Sequence, residues 1–119
     1  MAEYGRAAVC VLPSRFDRKV WVESLGVVLL EAMACGTAVI ASRMGGPRDL
    51  IRDGENGRFF APGDADDLAE KLAGMLTDFP RAVAMGQRGL ELAAEFSPEA
   101  IARRLDDIYA EARRATPAP

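Results

Sequence analysis

Two glutamates carry the first chemical signal in this chain. Glu23 and Glu31 stand eight positions apart in the segment ESLGVVLLEAMACG. Eight residues are a little over two turns of α-helix, so a helix beginning at Glu23 would place both carboxylates on one face. Gly26 marks a better helix start, which leaves Glu23 on the preceding loop, leaning over the helix end, and Glu31 on the helix body. The two carboxylates therefore sit at different depths. The amides of Gly26, Val27 and Val28 would point into the space beside Glu23, where unsatisfied N–H groups and the helix dipole favour an anion such as a diphosphate. Gly26 has no side chain to obstruct that approach. A carboxylate at Glu31 accepts two hydroxyl hydrogen bonds, which suits the vicinal diol of a ribose.

The surrounding elements must hold these groups in place. Residues 7–12, AAVCVL, form a continuous apolar run closed by Pro13 and Ser14, the pattern of a parallel central strand buried on both faces. After the polar loop RFDRKVWVES, residues 26–35 read as a mostly buried helix stopped by Gly36. TAVIAS at 37–42 is a second β-branched strand, so the order strand, helix, strand predicts a right-handed crossover and a parallel sheet. The segment RMGGPRDLIRDGENGRFFAPGD is dense in turn formers and predicts a short helix at 47–52, a turn at Asn56 and Gly57, and a third strand over Arg58–Ala61. Asp64 is placed to cap a helix with Leu68, Leu72, Met75 and Leu76 on one face, and Asp67 falls at its third position. A further helix is predicted over 80–95. Ser97 and Pro98 open a last one, with an apolar stripe of Ile101, Leu105, Ile108, Tyr109 and Ala112. These three closing helices read as packing elements, and residues 116–119 as a disordered tail.

Composition narrows the field. The chain has 119 residues, half of them hydrophobic, which is the material of one compact domain with one core. Its formal net charge is -3, with 15 Lys and Arg against 18 Asp and Glu, so no broad cationic face is available for nucleic acid. The chain contains no histidine, and any mechanism needing a histidine base must draw it from elsewhere. Cys10 and Cys35 lie inside apolar runs and read as buried free thiols of a reducing, cytoplasmic setting. No stretch reaches the roughly 18 to 20 apolar residues of a membrane span, and MAEYGR lacks a hydrophobic signal core.

Taken in order, Glu-x7-Glu, LLEAMACGTAVIAS, GGPRDLI and DGENGRFFAPGDADDLAEKL resemble the donor-domain signature of glycosyltransferase family 4, the retaining enzymes of two facing Rossmann-like domains. The resemblance covers about residues 5–115. A lone pair of glutamates at that spacing is common by chance, whereas four matches in order are specific. The resemblance implies an α/β fold, a partial Rossmann-like (GT-B C-terminal) domain with a short parallel sheet flanked by helices, spanning residues 1–115. It implies that Glu31 binds the nucleotide ribose, that Glu23 contacts the transferred sugar and the reacting centre as the catalytic carboxylate, and that Gly26, Val27 and Val28 hold the diphosphate. It also implies transfer from a nucleotide-sugar donor with retention by same-face attack, no metal and no cofactor, to an acceptor that the sequence does not name. The chain departs from the family at three places. The loop from Ser14 to Glu23 is longer than usual and Leu25 stands where Phe is common; Arg48 and Asp49 replace Pro and Glu; and the family's upstream Arg and Lys pair has no counterpart here.

Other residues admit a plainer explanation beside the functional one. Gly45 and Gly46 serve either close backbone approach to a donor or a loop needing positive φ. Arg15, Arg18 and Lys19 form a charged loop that reads as solvated rather than phosphate-binding, and Trp21 as packing on its own domain. The expected partners are a nucleotide-sugar and an N-terminal acceptor domain absent from this chain, which alone would be inactive. Self-association is expected through an open sheet edge. The rival reading is a non-catalytic nucleotide-binding or assembly module that needs a separate N-terminal half or a second copy. A third is a structural fragment left by truncation.

Overall fold

The computed structural model describes residues 2–15 and 24–115. In chain order the elements are α1 (Ala2–Arg6), β1 (Val9–Leu12), α2 (Val27–Ala34), β2 (Ala38–Ser42), α3 (Pro47–Leu50), β3 (Gly57–Phe60), α4 (Ala65–Thr77), α5 (Phe79–Ala94) and α6 (Pro98–Ala115). The strands form a parallel sheet in the order β1-β2-β3, with Val9 opposite Ala38 and Val39 opposite Gly57. The expected α/β architecture and parallel sheet are therefore present, with helices on both faces.

The two faces follow from the period-2 alternation of β2. Val39 and Ala41 meet Leu29, Ala32 and Met33 of α2, together with Leu50, Ile51 and Phe59. Ala38 and Ile40 turn the other way, onto Phe60, Met75 of α4, and Ala82 and Met85 of α5. Two glycines let α5 lie close against this framework. A Cβ at Gly86 would stand 2.1 Å from the Gly36 carbonyl oxygen, and one at Gly89 would stand 3.0 Å from Met33 Cγ. The Asp64 cap forms as expected, its side chain accepting from the amides of Asp66 and Asp67, and Ser97 Oγ accepts from the Ala100 amide at the start of α6.

Several expectations are corrected. β2 is the central strand, buried throughout, while β1 is half-buried and lies at the edge of the described strands. A continuous apolar run does not reveal how many neighbours a strand has. α2 buries only one face, with Val27, Val28, Glu31 and Ala34 exposed. Cys10 and Cys35 are free but only half-buried, and partial burial pushes the Cys10 thiol up from its usual pKa. α6 is not a packing element. None of its residues is buried, and Ile101, Leu105, Ile108 and Tyr109 are 43–64% exposed. The radius of gyration, 17.2 Å, reflects this projecting helix, since a compact chain of this length has about 13.5 Å. α1, which no periodicity announces, is an additional element. The predicted tail at 116–119 lies outside the described residues.

Candidate functional site

In a parallel sheet with helices on both faces, the space beyond the carboxyl ends of the strands is where loops and helix amino ends converge. Here β1 ends at Leu12, β2 at Ser42, and α2 opens at Gly26. Gly26 adopts φ 79°, ψ 54°, the left-handed region that only glycine enters without strain. It is also enclosed, because a Cβ there would meet Leu29 Cδ1 at 3.1 Å, Pro47 Cγ at 3.3 Å and Leu12 Cδ2 at 3.4 Å. Its carbonyl accepts from the Leu29 amide at 2.8 Å, closing the first turn. The Val27 and Val28 amides precede that turn, where a helix supplies no acceptor for them. No acidic residue stands in the first turn of α2 to neutralise its positive end.

Val27, Val28 and Glu31 lie on the same exposed face, Glu31 being four and three residues beyond the two valines. That spacing sets Glu31 about 6 Å further along the helix axis than Val27. The structure thus brings together the expected positions Gly26, Val27, Val28 and Glu31. Glu23, together with Arg18, Lys19 and Trp21, lies outside the described residues.

Glu31 is not alone on its face. Tyr4 Oη donates to Glu31 Oε2 at 3.1 Å, a contact across 27 positions that the sequence did not announce. Partial burial, the hydrogen bond to Glu31 and its negative charge together raise the Tyr4 pKa, so the phenol is a protonated donor near neutral pH. An open apolar groove of ≈ 520 Å³ runs beside Glu31, lined by Leu30, Ala34, Leu90, Ala93, Phe96 and Pro98.

The loop after β2 completes this end of the molecule. Gly45 has φ 58° and needs the glycine backbone for that reason. Gly46 has an ordinary φ of -61°, but a Cβ there would fall 1.8 Å from the Ser24 carbonyl oxygen. The chain leading into α2 therefore rests directly on Gly46. The expectation of positive φ holds for Gly45 alone, and the close approach at Gly46 is to the backbone of Ser24 rather than to a donor. Beyond it, Arg43 stacks over the Phe59 ring at 4.9 Å and pairs with Asp53 at 3.1 Å. Asp53 also accepts from the Phe59 amide and lies 3.5 Å from Arg58 Nε. Among the described residues no group of three His, Cys, Asp or Glu could hold a metal ion, and no helix is long and apolar enough to cross a membrane.

A doubly wound α/β domain with a glycine-initiated helix opening at its strand ends is the class that this geometry defines. Residues 1–92 match the family described as glycosyl transferases group 1. The chain belongs to that family. It is 37% identical over 112 residues to the D-inositol 3-phosphate glycosyltransferase of Corynebacterium aurimucosum, covering 94% of this chain and 25% of the relative. It is 38% identical to D-inositol 3-phosphate glycosyltransferase 2 of Catenulispora acidiphila, covering 92% and 24%. Among solved structures, sucrose-phosphate synthase of Thermosynechococcus elongatus shares 38% identity with a TM-score of 0.81, over 96% of this chain and 27% of that one. Anabaena HepE in complex with UDP superposes with a TM-score of 0.82 at 23% identity, over 92% and 29%, a likeness of fold. The chain spans about a quarter of the length of these curated relatives.

Proposed function

We propose that this chain supplies the donor-binding part of a retaining glycosyltransferase of family 4. In this reading the Val27 and Val28 amides at the start of α2, with Gly26 beneath them, receive the diphosphate of a nucleotide-sugar, and Glu31 receives the ribose hydroxyls. Glu23 contacts the transferred sugar at the reacting centre, and an acceptor-binding domain beyond this chain provides the other wall. The observation that carries the reading is the amino end of α2. Its first-turn amides have no acceptor within the helix, no acidic residue stands in that turn, and they share an exposed face with one carboxylate a turn away. Glycosyl transfer needs such a site because charge develops on the leaving diphosphate, and oriented amides stabilise it without reorganising. The half-buried free thiols favour work in the reducing cytoplasm.

Amide NMR of the purified chain, titrated with UDP and with GDP, tests the proposal. Saturable shifts led by Gly26, Val27, Val28 and Glu31, with the ribose-dependent part removed by Glu31→Ala, are expected. Shifts confined to α4, α5 or α6 would remove the site assignment. A second reading, an assembly module that pairs with a separate N-terminal half, draws on the uncovered apolar stripe of α6. It predicts a folded chain that binds neither nucleotide.

A further inference from the structure

Glu31 is an exposed, long side chain, and an exposed carboxylate samples several rotamers unless something holds it. In this chain something does. Tyr4 Oη donates to Oε2, and Oε1 has no protein partner among the described residues. The tyrosine is itself anchored twice. Its ring packs on the core formed by Leu29, Ala32 and Met33, and its carbonyl accepts from Thr37 Oγ1 at 2.5 Å and from the Ala7 amide at 3.1 Å. Thr37 is buried and sits between α2 and β2. The bond network therefore runs from the α2–β2 connection, through α1, to one oxygen of the carboxylate.

We infer that Tyr4 is a positioning residue for ligand recognition by Glu31, fixing the carboxylate so that Oε1 and the remaining lone pairs face a ribose diol. This rests on the donor-site reading above and adds to it a residue from outside the motif. A carboxylate fixed beforehand loses less freedom when it accepts two hydroxyls, and the ordering is already done when the nucleotide arrives. The raised pKa of Tyr4 keeps its proton available for the bond across the neutral range. The phenol touches no phosphate in this arrangement, so its effect should appear on the ribose alone.

The test is calorimetric titration of the 119-residue chain with UDP and GDP, each beside its 2′-deoxy counterpart. Wild type should prefer the ribo form by roughly tenfold, the value of one charge-assisted hydrogen bond. Tyr4→Phe keeps the ring on the core and removes the donor, and should lower that preference three- to tenfold while leaving deoxynucleotide affinity in place. In the Glu31→Ala background Tyr4→Phe should change nothing further. Thr37→Val, which releases the other end of the network without touching the ring or the carboxylate, should reduce the same ratio. A purely structural tyrosine would weaken ribo and deoxy forms equally. If Tyr4→Phe keeps the full ribo preference while Glu31→Ala loses it, the positioning role is wrong and the donor site stands. If wild type itself does not distinguish the two forms, the donor-site reading falls and this inference falls with it.

Discussion

Replacing Gly46 by alanine isolates the contact on which the candidate site rests. The backbone at Gly46 has φ -61°, which alanine adopts freely, so the substitution adds no conformational strain of its own. Its destabilising effect comes from one methyl group placed 1.8 Å from the Ser24 carbonyl oxygen, 2.4 Å from the Ser24 carbonyl carbon and 2.5 Å from the Leu25 Cα, against a smaller gain from the stiffer unfolded chain. These are backbone atoms that cannot swing aside as a side-chain tip can. To restore even the shortest tolerable separation of 3.0 Å, the chain entering α2 must withdraw by about 1.2 Å. Overpacking of this kind costs about 1–3 kcal/mol. For a domain of this size that lowers Tm by on the order of 10 °C. Differential scanning calorimetry measures it, with Gly74→Ala as the internal control. Gly74 lies exposed within α4, and a methyl group added there would meet nothing within 4 Å, so alanine should raise stability by about 0.5–1 kcal/mol through helix propensity alone. The displaced segment leads directly into Gly26, so Gly46→Ala should also shift the Val27 and Val28 amide resonances while Gly74→Ala leaves them in place. A Gly46→Ala protein as stable as wild type would refute the packing of Ser24 on this glycine.

Two further outcomes follow from the other face and the carboxyl-terminal helix. The hydrogen bond from the Ala61 amide to Asp67, followed by that from Lys71, holds the Asp67 carboxyl below its ordinary pKa of 3.8. A depressed folded-state pKa contributes stability that is complete above the unfolded value and is lost as pH falls through the folded one. Thermal melts between about pH 2 and pH 5 should therefore decline less steeply for Asp67→Asn than for wild type, and parallel curves would show that the carboxylate is not coupled to folding. On α6, Leu105 is 46% exposed, and Leu105→Glu should change unfolding free energy by less than about 0.5 kcal/mol in urea titration. A loss of several times that would mean the stripe is covered in solution.

The crossover unit is legible in the sequence because its parts are local. Apolar runs of the right length at 9–12 and 38–42 enclose a helix whose start is a glycine and whose stop is another, and each signal lies within a few residues of what it specifies. The Asp64 cap is legible for the same reason. What the sequence hides is set by contacts between distant positions. Nothing in AEYGR announces a helix, and α1 is placed by the Tyr4 bonds to Glu31 and Thr37, which span 27 and 33 positions. Asp53 joins Arg43, Arg58 and the Phe59 amide only because β2 and β3 lie side by side. The stripe on α6 is legible as amphipathic, but amphipathicity states which face would be buried and not whether anything covers it.

In the candidate site, exposed groups are placed by buried neighbours. Val27, Val28 and Glu31 point outward, where packing cannot order them. Their placement comes from the opposite side of α2, where Leu29, Ala32 and Met33 are fully buried against β2. At its amino end the helix is seated by Gly26, closed in by Leu12, Leu29 and Pro47. At its carboxyl end it is seated by the turn at Gly36, against which Gly86 brings α5. Enlarging either glycine would move the helix as a body, which displaces amides and carboxylate together. The Tyr4 hydrogen bond is different in kind, since it acts on one carboxylate and leaves the helix where it is. Stability and ligand discrimination should therefore separate at Tyr4 and travel together at Gly26 and Gly86.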